Sequence, residues 1–279
     1  MKKSFYPDQV IPLLFTITTF VTMFALLYCE IFILNSVLPK HSPIFLKLRI
    51  PDIIVGVTIY LKTSIDFAIL IGRLMSKFPG WKNRIMIEVG TALGNAIGTM
   101  AILILWDLFR EIKPLMAVMI IIAALVLFRL AEEGLEHVKN EEGKYLFSLY
   151  GFAEVFEKIL SKFNHAVAPI LNRLVPKLTV SEEGKAGLKA VFLLAFSIPF
   201  LLGLDDFAGY LPLFNIINVF GFAAGVFAGH MILNIFLFLS PRRTAAIVMH
   251  PVISFFGSVA FVGLGIFGII EAAQLLMGF

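Results

Sequence analysis

Asp66 and Asp206 each stand in an Asp-Phe-Ala triplet within a long apolar run, and each is followed by glycines at four-residue spacing. A carboxylate at the centre of a membrane helix costs about 2.5 to 3.5 kcal/mol, so a pair of them calls for a partner, water or a cation. Gly72 follows Asp66, and Pro199, Gly203 and Gly209 flank Asp206, with Asp205 immediately before it. Residues that loosen a helix beside a carboxylate free backbone carbonyls, and that donor set suits a hard cation. For Asp66 there is a plainer alternative, an ion pair with Lys62 one turn earlier or with Arg73.

Two further groups have chemical potential. Glu88, Thr91, Asn95 and Thr99 recur at helical spacing and define a polar stripe, either a pathway or a set of interhelical hydrogen bonds. His230 and Asn234 share one helix face. A histidine so placed is a packing element held by hydrogen bonds, a soft-metal ligand or a proton carrier. The candidate metal ligands are therefore Asp66, Asp206 and His230, with Asp205, Glu88 and Asn95 as further cation-binding residues.

The elements that must position these residues are membrane helices. The chain has 279 residues, of which 59% are hydrophobic and 15% charged, outside the balance of a soluble domain. One helical crossing needs roughly 20 apolar residues, leaving room for about six to eight crossings and no large extramembrane enzyme. Regular apolar-polar alternation is absent, which argues against a β-barrel. The single cysteine, Cys29, excludes an internal disulfide and a cysteine-rich metal site. Seven apolar segments are expected to cross: Ile11 to Val37, Pro51 to Met75, Ile85 to Leu108, Leu115 to Leu130, Ala186 to Leu213, Ile216 to Leu239 and Thr244 to Leu276. The first is too long for a signal-peptide core and lacks a small-residue cleavage site, so it reads as a retained helix.

Residues 131–185 form the one substantial polar region. Within it Leu146, Phe147, Tyr150, Phe152, Val155, Phe156, Ile159, Leu160 and Phe163 make an apolar stripe, with Glu154, Glu157, Lys158 and Lys162 largely on the other side. The spacing predicts an amphipathic helix, lying in the membrane interface or packed on the cytoplasmic ends of the bundle. A capping box at Thr179 and Glu182 is expected to start the fifth crossing.

Laying the second and third crossings against the fifth and sixth reveals an internal repeat. Asp66-Phe67-Ala68 and the ladder Gly90, Gly94, Gly98 match Asp206-Phe207-Ala208 and the ladder Gly221, Gly225, Gly229. The fold class is thus an all-α polytopic membrane protein, with two inverted three-helix repeats at 51–130 and 186–279 and an added N-terminal helix and external loop over 1–50. Such repeats enclose a site near the midplane in secondary transporters. Lys2, Lys3, Arg73, Lys77, Lys82, Arg84, the 131–185 linker, Arg242 and Arg243 all fall on one side. The positive-inside rule makes that side cytoplasmic, with the N-terminus inside and the C-terminus outside an inner membrane.

The run Thr63-Ser64-Ile65-Asp66-Phe67-Ala68-Ile69-Leu70-Ile71, followed by Arg84 to Gly98 and a third apolar helix, resembles the first half of proteins in the lysine-exporter superfamily, above all its tellurite-resistance-type and cadmium-resistance-type branches. The resemblance covers the two repeats and implies export of a divalent cation or small cationic solute, with Asp66 and Asp206 at the family's acidic positions. Phe67 and Phe207 stand where an asparagine commonly follows that aspartate.

No nucleotide-binding loop, His-Glu-x-x-His or Gly-x-Ser-x-Gly is present, so the expectation is a carrier and not an enzyme, with the lipid bilayer and a small cation as partners and no nucleic acid. A second copy of the chain, or a cytoplasmic protein on the 131–185 linker, completes the set of expected partners. Two other classes stay open: a membrane assembly or sensor subunit recruiting through that linker, and a lipid-modifying enzyme using Asp205, Asp206 and His230.

Overall fold

A computed structural model describes residues 10–37, 43–78, 80–136, 138–139, 150–174, 187–197, 211–240, 243–244, 247 and 250–277. Among them there is no β-strand. The helices are α1 (Ile11–Val37), α2 (Ile50–Thr63), α3 (Ile65–Lys77), α4 (Trp81–Phe109), α5 (Lys113–Glu136), α6 (Tyr150–Leu174), α7 (Leu188–Ser197), α8 (Val219–Leu239) and α9 (Pro251–Met277). A 3-10 turn, Leu211–Asn215, precedes α8. Five of them, α1, α4, α5, α8 and α9, are long and apolar enough to cross a membrane. The all-helical class and the membrane character therefore hold.

The segment at Pro51 to Met75, expected to be one crossing, is two helices interrupted at Ser64. The local chemistry explains the break. Thr63 Oγ1 donates to the carbonyl of Tyr60 (3.1 Å), an acceptor also used by the Ser64 amide (3.0 Å). A hydroxyl side chain that bonds a backbone carbonyl, as Thr63 does here, competes with the helical ladder. The polar region expected over 131–185 begins later than its charges suggest, because α5 runs on to Glu136 with Arg129 Nε bonded to Glu133 Oε1 one turn on (3.1 Å). Thr179 and Glu182 lie outside the described residues.

The chain divides into two units. The first comprises Met1–Leu108, Thr179–Phe207 and Phe214–Ala246, and so holds α1 to α3, nearly all of α4, α7 and α8. Its centre is the pairing of α2 with α8. Lipid tails are as apolar as leucine, so membrane helices associate by close packing and not by burying apolar surface from water. Glycines supply the approach here. A Cβ on Gly56 of α2 would collide with the carbonyl oxygen of Phe222, and one on Gly225 of α8 with that of Ile53. Gly221 abuts Asp52 and Gly229 abuts Tyr60, so α2 and α8 run parallel. Asn218 caps α8 by accepting from the Gly221 amide (2.9 Å) and donates to the Phe45 carbonyl (2.8 Å), which fastens the segment before α2. α1 lies antiparallel to α8, with Phe24 and Tyr28 against Phe220. It is peripheral, since 17% of its most apolar window is buried against 72% for α8.

The second unit, Phe109–Leu178, Ala208–Leu213 and Ile247–Phe279, holds α5, α6 and α9. α5 and α9 pack antiparallel: Gly134 faces Ser258, Gly265 faces Phe128, and Gly268 sits beside Ile120 and Pro212. α6 rests on the last turns of α5, with Asn164 Nδ2 donating to the Phe128 carbonyl (3.0 Å).

Candidate functional site

The polar residues of the first unit converge near the middle of α4 and α8. Asn95 and His230 each stand close to the midpoint of their helices, and Glu88, Thr91, Asn95, Thr99, His230 and Asn234 are all buried. Asn234 Nδ2 donates to Thr91 Oγ1 (3.0 Å) and lies 3.0 Å from His230 Nε2. His230 Nδ1 lies 2.5 Å from Tyr60 Oη on α2. In the orientation that presents Asn234 Nδ2 to Nε2, the ring accepts there and directs its Nδ1 proton at Tyr60; with the amide turned over, Nε2 donates to Oδ1 and the Tyr60 hydroxyl donates to Nδ1. Thr91 Oγ1 in turn donates to the Glu88 carbonyl (3.0 Å). Thr16 Oγ1 of α1 donates to Glu88 Oε2 (2.8 Å).

Four helices thus contribute to one connected set, and the set is incomplete. Glu88 Oε1, Asn234 Oδ1 and Ser64 Oγ are buried with no hydrogen-bond partner among the described residues. A buried oxygen left without a donor costs about 1 to 3 kcal/mol, more for a carboxylate, so these atoms mark where a ligand or water would be stabilised. A small cavity between α1, α4 and α8 is lined by Thr16 and His230, the residues bonded to Glu88 and Asn234, and not by the three orphan oxygens themselves. Thr16, Asn95 and His230 line it on the polar side, and Phe20, Met23, Phe227 and Met231 supply apolar walls.

The break in the second segment adjoins this cluster. Phe67, in the first turn of α3, lies 5.3 Å from the His230 ring, and Tyr60, in the last turn of α2, 5.6 Å. Asp66 is the second residue of α3, next to Phe67 in the chain; its side chain lies outside the described residues. Asp205 and Asp206 also lie outside them. Of the expected site residues, Glu88, Asn95 and His230 are brought together, and Glu88 is buried and accepts from Thr16.

Among the described residues no group of three or more histidine, cysteine, aspartate or glutamate side chains could hold a metal ion. Both ring nitrogens of His230 are already engaged, so coordination through either would have to displace Tyr60 or Asn234. Thr16 and Tyr60 were not legible in the sequence as site residues, since a lone hydroxyl on an apolar helix forms no pattern. Comparison with known protein families, characterised proteins and solved structures gives no match to this chain.

Proposed function

We propose that the chain is a secondary transporter of a small cation, built on two inverted three-helix repeats that cross the membrane seven times with one added helix, the N-terminus being cytoplasmic. The observation that carries this reading is the buried, incompletely bonded cluster of Glu88, Asn95, His230 and Asn234 at mid-length, beside a helix broken at Ser64. Secondary transporters use interrupted helices near the midplane in this way, because a helix end offers carbonyls and amides that an intact helix keeps to itself.

The repeat draws support from reciprocal packing. The spacing that carries Asp66 to Asp206 also carries Asp52 to Phe192, and the one that carries Gly90 to Gly221 relates the two glycine ladders. Gly221 meets Asp52, and Gly90 meets the carbonyl of Phe192. First helix on second helix therefore occurs in both senses, while the third helices, α5 and α9, pair with each other. Within the first unit, a two-fold operation would exchange the first two contacts.

A divalent metal as cargo, the substrate implied by the lysine-exporter resemblance, requires Asp66 and Asp206 to join Glu88, because one carboxylate alone leaves such an ion undercompensated. Purified protein in sealed vesicles, assayed for uptake of divalent metals and of small organic cations under an imposed proton gradient, tests the proposal. Glu88→Gln, Asp66→Asn and Asp206→Asn should each lower flux steeply while the protein still folds. Normal flux in all three would sink the site, and no flux of any cation by the unaltered protein would favour the assembly-subunit class.

A further inference from the structure

α6 presents three distinct faces. Phe156, Leu160 and Asn164 turn toward α5, where Leu160 is buried and Asn164 Nδ2 donates to the Phe128 carbonyl (3.0 Å) and to Glu132 Oε2 (2.6 Å). Glu157 is ion-paired with Lys139 just beyond α5. On the adjacent face Val155, Ile159 and Phe163, one turn apart, are 59%, 66% and 40% exposed. The remaining face is polar: Lys158 and Lys162 border the apolar stripe, and Glu154, Ser161 and His165 lie further round, all exposed. Phe163 rests edge-to-face on Phe128 of α5 (ring centroids 5.2 Å) and keeps its outer side open, while Val155 and Ile159 stand clear of α5, so the helix is anchored there without burying its whole apolar stripe.

The level of the anchor decides what covers the stripe. The apolar run of α5 gives way to Arg129, Glu132, Glu133 and Glu136 within two turns. Charges clustering at the end of a crossing mark the membrane–water boundary. α6 is held at Phe128, Glu132 and Lys139, the same level. An exposed stripe bordered by lysines at that height matches the acyl-chain boundary below and phosphates above, since lysine stems can lie on apolar surface while their ammonium groups reach out.

We propose that α6 lies in the membrane interface, with Val155, Ile159 and Phe163 among the acyl chains and Lys158 and Lys162 on the phosphates of anionic lipid. This stands independently of whether the chain transports anything. The test uses the full chain with Cys29→Ser, reconstituted in phosphatidylglycerol vesicles, and single spin-labelled cysteines at 155, 159, 163, 158 and 161. Labels at 155, 159 and 163 should be reached by oxygen and shielded from a water-soluble nickel chelate, as for groups about 5–10 Å inside the headgroup boundary. Labels at 158 and 161 should show the reverse. Nickel access at the stripe equal to that at 161 overturns the proposal. So does shielding from both reagents, which would mean that a second copy of the chain covers the stripe. In the unlabelled protein, acylation of Lys158 and Lys162 should slow several-fold when phosphatidylglycerol replaces phosphatidylcholine at low salt, and recover at high salt. Equal rates in the two lipids would overturn the phosphate contact.

Discussion

At the scale of single residues, the glycines and the His230 network lead to opposite kinds of sensitivity. Gly225 has the Ile53 carbonyl where a Cβ would go, whereas Gly263 has nothing within 4 Å. Gly225→Ala should therefore force α2 from α8 and destabilise by at least about 2 to 3 kcal/mol, in the range of an overpacked core. Gly263→Ala should be neutral or stabilising by up to about 1 kcal/mol, through helix propensity alone. Melting temperatures in detergent check both; equal effects would remove the close-approach account of the ladder. The hydrogen-bond network predicts coupling. Tyr60→Phe leaves His230 Nδ1 without its hydroxyl partner, at a cost of about 1 to 3 kcal/mol. Asn234→Ala should cost a similar amount, and the double variant less than the sum of the two, because both act through one imidazole. Strict additivity would show that the three side chains do not form a unit.

At the scale of elements, the interruption at Ser64 is the feature to perturb. Thr63→Ala with Ser64→Ala removes the side-chain bond to the Tyr60 carbonyl and raises helix propensity by roughly 0.5 kcal/mol per residue. A straighter α2–α3 would carry Phe67 away from His230, so flux in the vesicle assay should fall while helix content stays the same or rises. Unchanged flux would separate the break from the site. Much of the element plan is legible in hydropathy alone. The bounds of α1 fall at Ile11 and Val37 as the apolar run predicts, and the amphipathic stripe foretells α6 from Tyr150 onward. The break lies in the polar stretch Lys62-Thr63-Ser64-Ile65-Asp66, but Lys62 and Asp66 stand one helical turn apart and read as an ion pair within a continuous helix, which hides it. Asp52 also goes unremarked: it reads as an ordinary first-turn acid, yet it is buried against Gly221 and ion-paired with Arg49 (3.3 Å). The site itself was half visible. Spacing within one helix exposes Glu88 with Asn95 and His230 with Asn234, but nothing local relates Tyr60 to a histidine 170 residues away.

At the scale of the whole molecule, five of the described helices are long enough to cross, whereas α2 and α3 are each too short to span alone at 14 and 13 residues. If the pair crosses together, three crossings separate Lys47 from Ser161, and the two positions lie on opposite sides. If it dips in and returns, only α4 and α5 intervene and the positions share a side. Single cysteines at 47 and 161 in a Cys29→Ser background, probed with an impermeant maleimide on intact cells, are expected to give label at 47 and none at 161. Label at both, or at neither, would reduce the crossings by one and remove the odd-numbered repeat on which the inversion depends.

The α2–α8 seam also sets a schedule for the protein's own birth. Its two helices leave the ribosome far apart: Tyr60 precedes His230 by 170 residues, which at about 5–20 residues per second is a wait of roughly 10 to 30 s. Throughout that interval α2 carries a buried-type aspartate, a bare glycine groove and a tyrosine hydroxyl with their α8 partners not yet made. A short helix of that composition is a poor candidate for release into lipid by itself. Its safe keeping then falls to the insertion machinery until α8 emerges. Stalling synthesis just before residue 219 should therefore leave α2 crosslinkable to the translocation channel, whereas stalling beyond residue 260 should release it.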